Sequence, residues 1–335
     1  MAGIVKKEAS KGMVVLAFAT VYIVWGSTYF FIQRAIQHLP PLMLGAIRFL
    51  AAGIILMTWS IIKKENLWDW KQIKPAVISG LLLLFIGNGA LIVAEKTLPS
   101  SFAAIIVSAA PIWFVLLDVP KLKENLSNRS TVFGMIIGFL GVVLLFGQSL
   151  PALFSTHGHA SEVIAMIILV IGSMSWAGGS LYSKYKFQGS TTVNTTWQML
   201  AAGIAFIPMS LLAQEQSGFQ FQTVPAETWL SVLYLVTMGS LVGYSAYVWL
   251  LQVRPATQVS TYAYVNPVVA VMLGVFFAGE HLTWMQLSGL VVILTSVLLI
   301  NLNKYRKEKE ERKKVTTPPP VKEFHPRMVT EKAAC

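Results

Sequence analysis

The sequence predicts an all-α integral membrane protein with ten transmembrane helices arranged as two inverted five-helix repeats. Three observations lead there. The 335 residues are 55% hydrophobic and 12% charged, with a mean hydropathy of +0.63, which is more apolar surface than a soluble core of that length buries. The apolar residues fall into ten runs of about 20 residues, the length an α-helix needs to cross a hydrocarbon layer roughly 30 Å thick. The two halves of the chain also match each other in order and spacing.

The runs cover residues 13–33, 42–62, 75–95, 101–120, 131–149, 162–183, 193–213, 228–251, 257–278 and 283–302, each bounded by charge, proline or polar residues. They lack the alternation of barrel strands, so helices are required. The first follows Lys6, Lys7 and Lys11, as a signal peptide would, but it lacks a small-x-small cleavage pattern and reads as a retained helix. The lone cysteine, Cys335, rules out an intrachain disulfide.

Basic residues set the orientation. With a cytoplasmic N-terminus, 23 of the 26 Lys and Arg lie in inner segments, only Arg34 and Lys96 lie outside, and Arg48 sits within span two. That bias places both termini in the cytoplasm of a multi-pass cell-membrane protein. It also accounts for the net charge of +11 without nucleic acid as a partner. Residues 303–335 hold ten Lys/Arg and five Glu; this basic, largely disordered tail reads as a topology anchor or as a patch drawn to anionic lipid.

Comparison of the chain with itself pairs Leu50-Ala51-Ala52-Gly53 with Leu200-Ala201-Ala202-Gly203, and Trp25-Gly26-Ser27 with Trp176-Ala177-Gly178. Ala90, Pro99 and Pro111 match Ala246, Pro255 and Pro267 at one constant offset, which also relates Gly87 to Gly243 and Glu124 to Glu280. The chain therefore divides into a first repeat over 1–148, a second over 162–302 and the tail. Five spans per repeat is an odd number, so the second copy enters the bilayer upside down. Such architecture belongs to secondary transporters, whose halves rock about a shared midplane site.

TVYIVWGSTYFFI (20–32), PPLMLGAIRFLAAG (40–53), ALIVAEKTLPSSFAAIIVSAAPIW (90–113) and GEHLTWMQLSGLVVILTSVLL (279–299) resemble the EamA-type branch of the drug/metabolite transporter superfamily. The resemblance covers nearly the whole chain except the tail. It implies the ten-helix inverted-repeat fold and carriage, often export, of small metabolites such as amino acids or amphipathic compounds. The segment LDVPKLKENLSNRS (117–130) departs from the family pattern, with Pro120 and three basic residues leading into span five.

Charged and polar groups inside the spans are the candidate site. A charge in lipid costs roughly 2.5–3.5 kcal/mol on insertion scales, so Arg48 must face protein. By depth its nearest acid is Glu95, and beside plain snorkelling two roles stay open for it: a lock between spans two and three through an ion pair or carbonyls, or a binder of a substrate carboxylate. Its counterpart in the second half is uncharged Gln198. Trp25, Ser27, Tyr29, Trp176, Tyr244, Tyr247 and Tyr262 offer rings and hydroxyls for a mostly apolar pocket. Asn88 and Asn266 are amides that need partners in mid-membrane. Pro111 and Pro267 are expected helix breaks at matching positions, marking the hinge. Gly134, Gly138 and Gly141 have the spacing of a close helix contact, within the bundle or in a homo-oligomer. Glu124 and Glu280 are expected to cap the helices of spans five and ten.

No catalytic residues, cofactor or metal are expected. All five histidines fall in loops or the tail, and His157-Gly158-His159 lacks further ligands. A phosphate-binding glycine loop with lysine is missing, and so are the charge rings of a channel. The expected partners are a small-molecule substrate and the lipid bilayer; a channel or facilitator, a scaffold without transport and, last, an intramembrane enzyme are the competing readings.

Overall fold

The computed structural model describes residues 10–98, 100–145, 147, 160–278 and 283–316. Pro99, His157, His159, Glu280 and the tail beyond residue 316 lie outside the described residues. Among those described, all regular structure is helical. Besides the short turns Val119–Lys121, Phe221–Thr223 and Ala256–Val259, the helices are α1 Lys11–Ile36, α2 Pro41–Ile62, α3 Trp70–Ala94, α4 Ser100–Val107, α5 Ala110–Leu116, α6 Leu122–Ser127, α7 Arg129–Leu145, α8 Ala160–Lys186, α9 Thr191–Leu212, α10 Ala226–Val253, α11 Tyr262–Ala278 and α12 Trp284–Thr316. Six of them, α1, α2, α3, α8, α9 and α10, are long and apolar enough on their own to cross a bilayer. α7 and the apolar part of α12 are shorter.

The fourth expected span is not one straight helix. It breaks at Ser108 and Ala109, resumes as α5, then bends by 67° before the Val119–Ser127 stretch. Pro111 stands at the start of α5, where its missing N–H costs nothing. Pro267 differs from expectation: α11 runs through it unbroken. Glu124 also differs, lying in α6 rather than at the start of α7, where the Asn128 side chain accepts from the Thr131 N–H instead.

The irregularities that do match between halves are two π-helical stretches, Leu81–Asn88 in α3 and Leu235–Tyr244 in α10. A widened turn shifts side chains against the regular helix and frees carbonyls, which is why π turns concentrate at functional sites.

Helices from opposite halves are paired. α2 and α9 run antiparallel in close contact: a Cβ at Gly53 would lie 2.7 Å from the Leu200 side chain, and one at Gly203 would lie 2.8 Å from that of Leu50. The two LAAG words are thus each other's sockets. At the ends of this pair the contacts are again reciprocal. Lys64 and Gln214 take the same left-handed backbone, φ 55° and 53°. After them, Glu215 accepts from the Leu42 and Met43 amides at the start of α2 (3.1 and 2.8 Å), and Glu65 accepts from Ser190 at the start of α9 (2.9 Å). Glu215 there meets unpaired N–H groups, Glu65 a hydroxyl, and both lie at a positive helix end.

α7 and α12 form a second antiparallel pair. Gly134 packs on Ile300, Gly138 on Ser296 and Gly141 on Ile293, while Gly289 of α12 packs on the Leu145 backbone. The glycine stripe is therefore spent on a contact inside the chain, small residues letting backbones approach where lipid gives no hydrophobic drive. α1 packs on α10 and α11, and α8 packs on α3, α4 and α5. These helices surround one central space.

Candidate functional site

That space is a cavity of about 70 Å³ walled by α1, α2, α3, α5, α8, α10 and α11, with Val107 of α4. Eight of the ten residues expected in it line it: Trp25, Tyr29, Arg48, Asn88, Trp176, Tyr244, Tyr262 and Asn266. Both π-helical stretches reach its wall, through Leu84, Gly87 and Asn88 on one side and Gly239, Ser240 and Tyr244 on the other. Its volume is well below the roughly 300–1,000 Å³ of ordinary ligand pockets, so a metabolite needs the surrounding helices to move apart.

Ser27 and Tyr247 do not line it. Ser27 turns away from the cavity, with its hydroxyl on the Val24 carbonyl and the Tyr234 hydroxyl (2.7 and 2.6 Å). Tyr247 forms a layer behind the wall. Its ring lies 4.8 Å from Trp25, its hydroxyl 2.5 Å from the Ser180 hydroxyl, and it accepts from Trp176 Nε1 at 3.2 Å. Tyr247 thereby holds the wall residues Trp25 and Trp176 in place. In the stretch Trp25–Tyr29, Thr28 rather than Ser27 faces the cavity.

The rings make a box. Trp25 meets Trp176 edge-on at 5.4 Å and Tyr262 edge-on at 5.1 Å, and its indole N–H donates to the Gly239 carbonyl at 3.2 Å. A carbonyl in a π-helical stretch is thus what fixes Trp25. Edge-to-face contacts hold such rings in one arrangement.

Arg48 is the charge in the box. It is 4% exposed. Its Nε donates to the Ser240 hydroxyl at 2.9 Å, Nη1 reaches Asn88 Oδ1 at 3.5 Å, and the guanidinium lies 5.0 Å over the Phe49 ring. Gly239 lies against it, since a Cβ there would come within 3.0 Å of Nη2. Among the described residues no carboxylate pairs with it; the expected partner, Glu95, does not. The difference has a simple source: the hydroxyl that binds Arg48 comes from the other half of the chain, which depth along neighbouring spans does not reveal.

Its counterpart Gln198 behaves otherwise. Fully buried outside the cavity, it donates to Ser79 and Ser183 (2.8 and 3.1 Å) and accepts from the Tyr244 hydroxyl at 3.0 Å. That amide is satisfied, whereas the guanidinium is uncompensated. Two more polar atoms on the wall, Asn266 Oδ1 and Ser173 Oγ, are buried without a hydrogen-bond partner. Buried polar groups are nearly always bonded, so orphans facing one cavity mark places for a ligand's groups. Ser240 and Phe49 are wall residues that apolar patterning alone did not single out.

A family model for the EamA-like transporter family matches residues 12–147 and 163–302. Among curated relatives, the "Uncharacterized inner membrane transporter YedA" of Escherichia coli K12 is 36% identical over 86% of this chain and 90% of its own length. A "Probable amino-acid metabolite efflux pump" of Salmonella typhimurium is 26% identical over 87% of this chain and 95% of its own, and "Protein PecM" of Dickeya dadantii is 28% identical over 83% and 88%. A solved crystal structure superposes with a TM-score of 0.72 at 17% identity, over 89% of this chain and all of the other.

Proposed function

Because the chain belongs to the EamA-like transporter family, we propose that it is a secondary carrier that exports small metabolites bearing a carboxylate, such as amino acids, through alternating access of two inverted five-helix repeats, residues 1–148 and 162–302. The observation that carries the substrate reading is Arg48, a buried guanidinium without a counter-ion among the described residues, on the wall of a cavity between aromatic rings. A carboxylate can accept two parallel N–H bonds from such a group, and the rings take an apolar side chain. The orphan Asn266 Oδ1 suits a hydrogen-bond donor on the solute.

The repeat reading is supported by the antiparallel pairing of equivalent helices, α2 with α9 and α7 with α12, by the matched left-handed residues Lys64 and Gln214, and by the matched π-helical stretches. It makes a direct prediction. Lys63 and Ala213 occupy corresponding exposed positions, and in a Cys335→Ser background single cysteines there should react with membrane-impermeant maleimide from opposite faces, Lys63→Cys from the cytoplasm. Labelling of both from one face removes the inverted arrangement.

Carrier action is tested in proteoliposomes preloaded with unlabelled amino acids and diluted into a mixture of the radiolabelled ones. Saturable counterflow is expected, which a channel does not give. Asn266→Ala should express normally and raise KM about tenfold, the loss of one hydrogen bond of about 1.4 kcal/mol. An unchanged KM removes Asn266 from the site.

A further inference from the structure

Glu95 closes the last turn of α3 with its carboxylate away from water: the residue is 5% exposed, and neither side-chain oxygen has a hydrogen-bond partner among the described residues. It sits one helical turn beyond Leu91, on the same face, and Leu91 lines the cavity. Tyr29, also on the wall, lies within electrostatic reach of it. The helices around it bring few charges. α1 offers Tyr29, Lys11 at its start and, in its last turn, Arg34, which is paired with Glu227; α2 offers Arg48; α8 offers Glu162 in its first turn and Lys184 and Lys186 in its last; the π-helical stretch of α3 and all of α4 carry none. Arg48 is committed to Ser240 and Asn88, and Asn88 precedes Glu95 by seven residues, about 10 Å along the helix. Lys96 beside it is exposed.

Among the described residues an ionised carboxylate in that position has neither donor nor cation, and it is almost out of reach of water, so this conformation accepts Glu95 only as the neutral acid or with a cation brought beside it. A proton and the ammonium group of a solute both meet that condition. They exclude each other at one carboxylate.

We propose that Glu95 is the coupling site of the carrier, a carboxyl group that binds either a proton or the solute's cationic group and so exchanges solute for protons across the membrane. The proposal rests on the carrier reading above. In the proton leg, water on one side gives up a proton, an O–H bond forms on the carboxylate, the carrier reorients, and the proton leaves to water on the other side. In the solute leg the carboxylate crosses ionised beside the solute's ammonium. Nothing is oxidised, and one proton balances one solute.

The test uses the full-length protein in liposomes with the membrane potential clamped and the same radiolabelled amino-acid mixture outside. With the interior one pH unit more acidic, wild type should accumulate label about tenfold over the gradient-free level, the ratio that a one-to-one exchange sustains. Glu95→Gln should accumulate none, and its counterflow should need a higher solute concentration than that of wild type, because one partner of the solute's cationic group is gone. Accumulation that survives in Glu95→Gln overturns the proposal. Wild-type counterflow that no pH gradient drives overturns it as well and leaves the carrier reading standing, whereas wild type without counterflow removes the carrier reading first. A solute-independent arm covers a variant that fails to fold: infrared spectra of the reconstituted protein should show a protonated carboxyl band that Glu95→Asp shifts. A spectrum without that band in wild type sinks the assignment.

Discussion

Replacing Arg48 by methionine should abolish transport without unfolding the protein. The carrier reading gives the guanidinium one task, holding the solute's carboxylate, and removing one partner of a buried charged pair costs about 2–5 kcal/mol. At the lower middle of that range, kcat/KM for counterflow falls by about a hundredfold. Stability should move the other way or not at all. The side chain is 4% exposed and meets no acid among the described residues, and exchanging buried ionic groups for apolar ones of similar size is often neutral or stabilising by about 1–4 kcal/mol. The fork that bonds Ser240 with Nε and reaches Asn88 with Nη1 has no equivalent in a single ammonium, so Arg48→Lys should restore less than a tenth of the activity by our estimate. Thermal melting in detergent beside counterflow separates the two roles that the sequence leaves open. If Arg48 locks helices together, melting temperature and transport fall in step; if it binds solute, transport falls alone.

The same residue shows what apolar patterning can and cannot convey. That Arg48 faces protein is legible, because a guanidinium has nowhere else to go in lipid. Its partners are not legible. Ser240 lies 192 positions away, brought in by the association of the two halves, so the nearest acid by depth, Glu95, was the wrong choice. Trp25, Trp176, Tyr244 and Tyr262 reach the cavity for the reason that polar-tipped rings are readable at all: their N–H and O–H groups need partners away from lipid. Ser27 and Tyr247 show the limit. Neighbouring helix positions are turned about 100° apart, so a cluster such as Trp25–Tyr29 identifies a polar stretch without fixing which member points inward. The π-helical stretches were hidden for another reason. Their sequences, LLLLFIGN and LVTMGSLVGY, are ordinary span residues, and the shift to a wider turn is set by tertiary contacts rather than composition. The prolines, conspicuous in sequence, turned out less informative: α11 passes through Pro267, while the glycine-containing π turns carry the matched irregularity.

Gly80→Ala should be among the most damaging small substitutions in the described part of the protein, because it drives two helix backbones apart beside the site. Gly80 immediately precedes the π-helical stretch of α3, and a Cβ there would fall 2.4 Å from the Gln198 carbonyl oxygen and 2.5 Å from its Cα. A side chain in the way can rotate, but a backbone on α9 cannot, so relief requires the helices to separate. Separation stretches the hydrogen bonds that Gln198 makes to Ser79 and Ser183 and its bond from Tyr244, and Tyr244 is a cavity wall. Overpacking costs about 1–3 kcal/mol, and contact with backbone puts this case at the upper end, so melting in detergent should drop by several degrees and counterflow should fall with it. Gly178→Ala supplies the control. That glycine also lies in a long helix, but its added Cβ meets only Leu117 at 3.9 Å, so the helix should gain up to about 1 kcal/mol from alanine's better propensity. Equal behaviour of the two variants contradicts the close α3–α9 approach, and with it the placement of Tyr244 against the cavity. Opposite signs tie the stability of the interface between halves to the shape of the site it encloses.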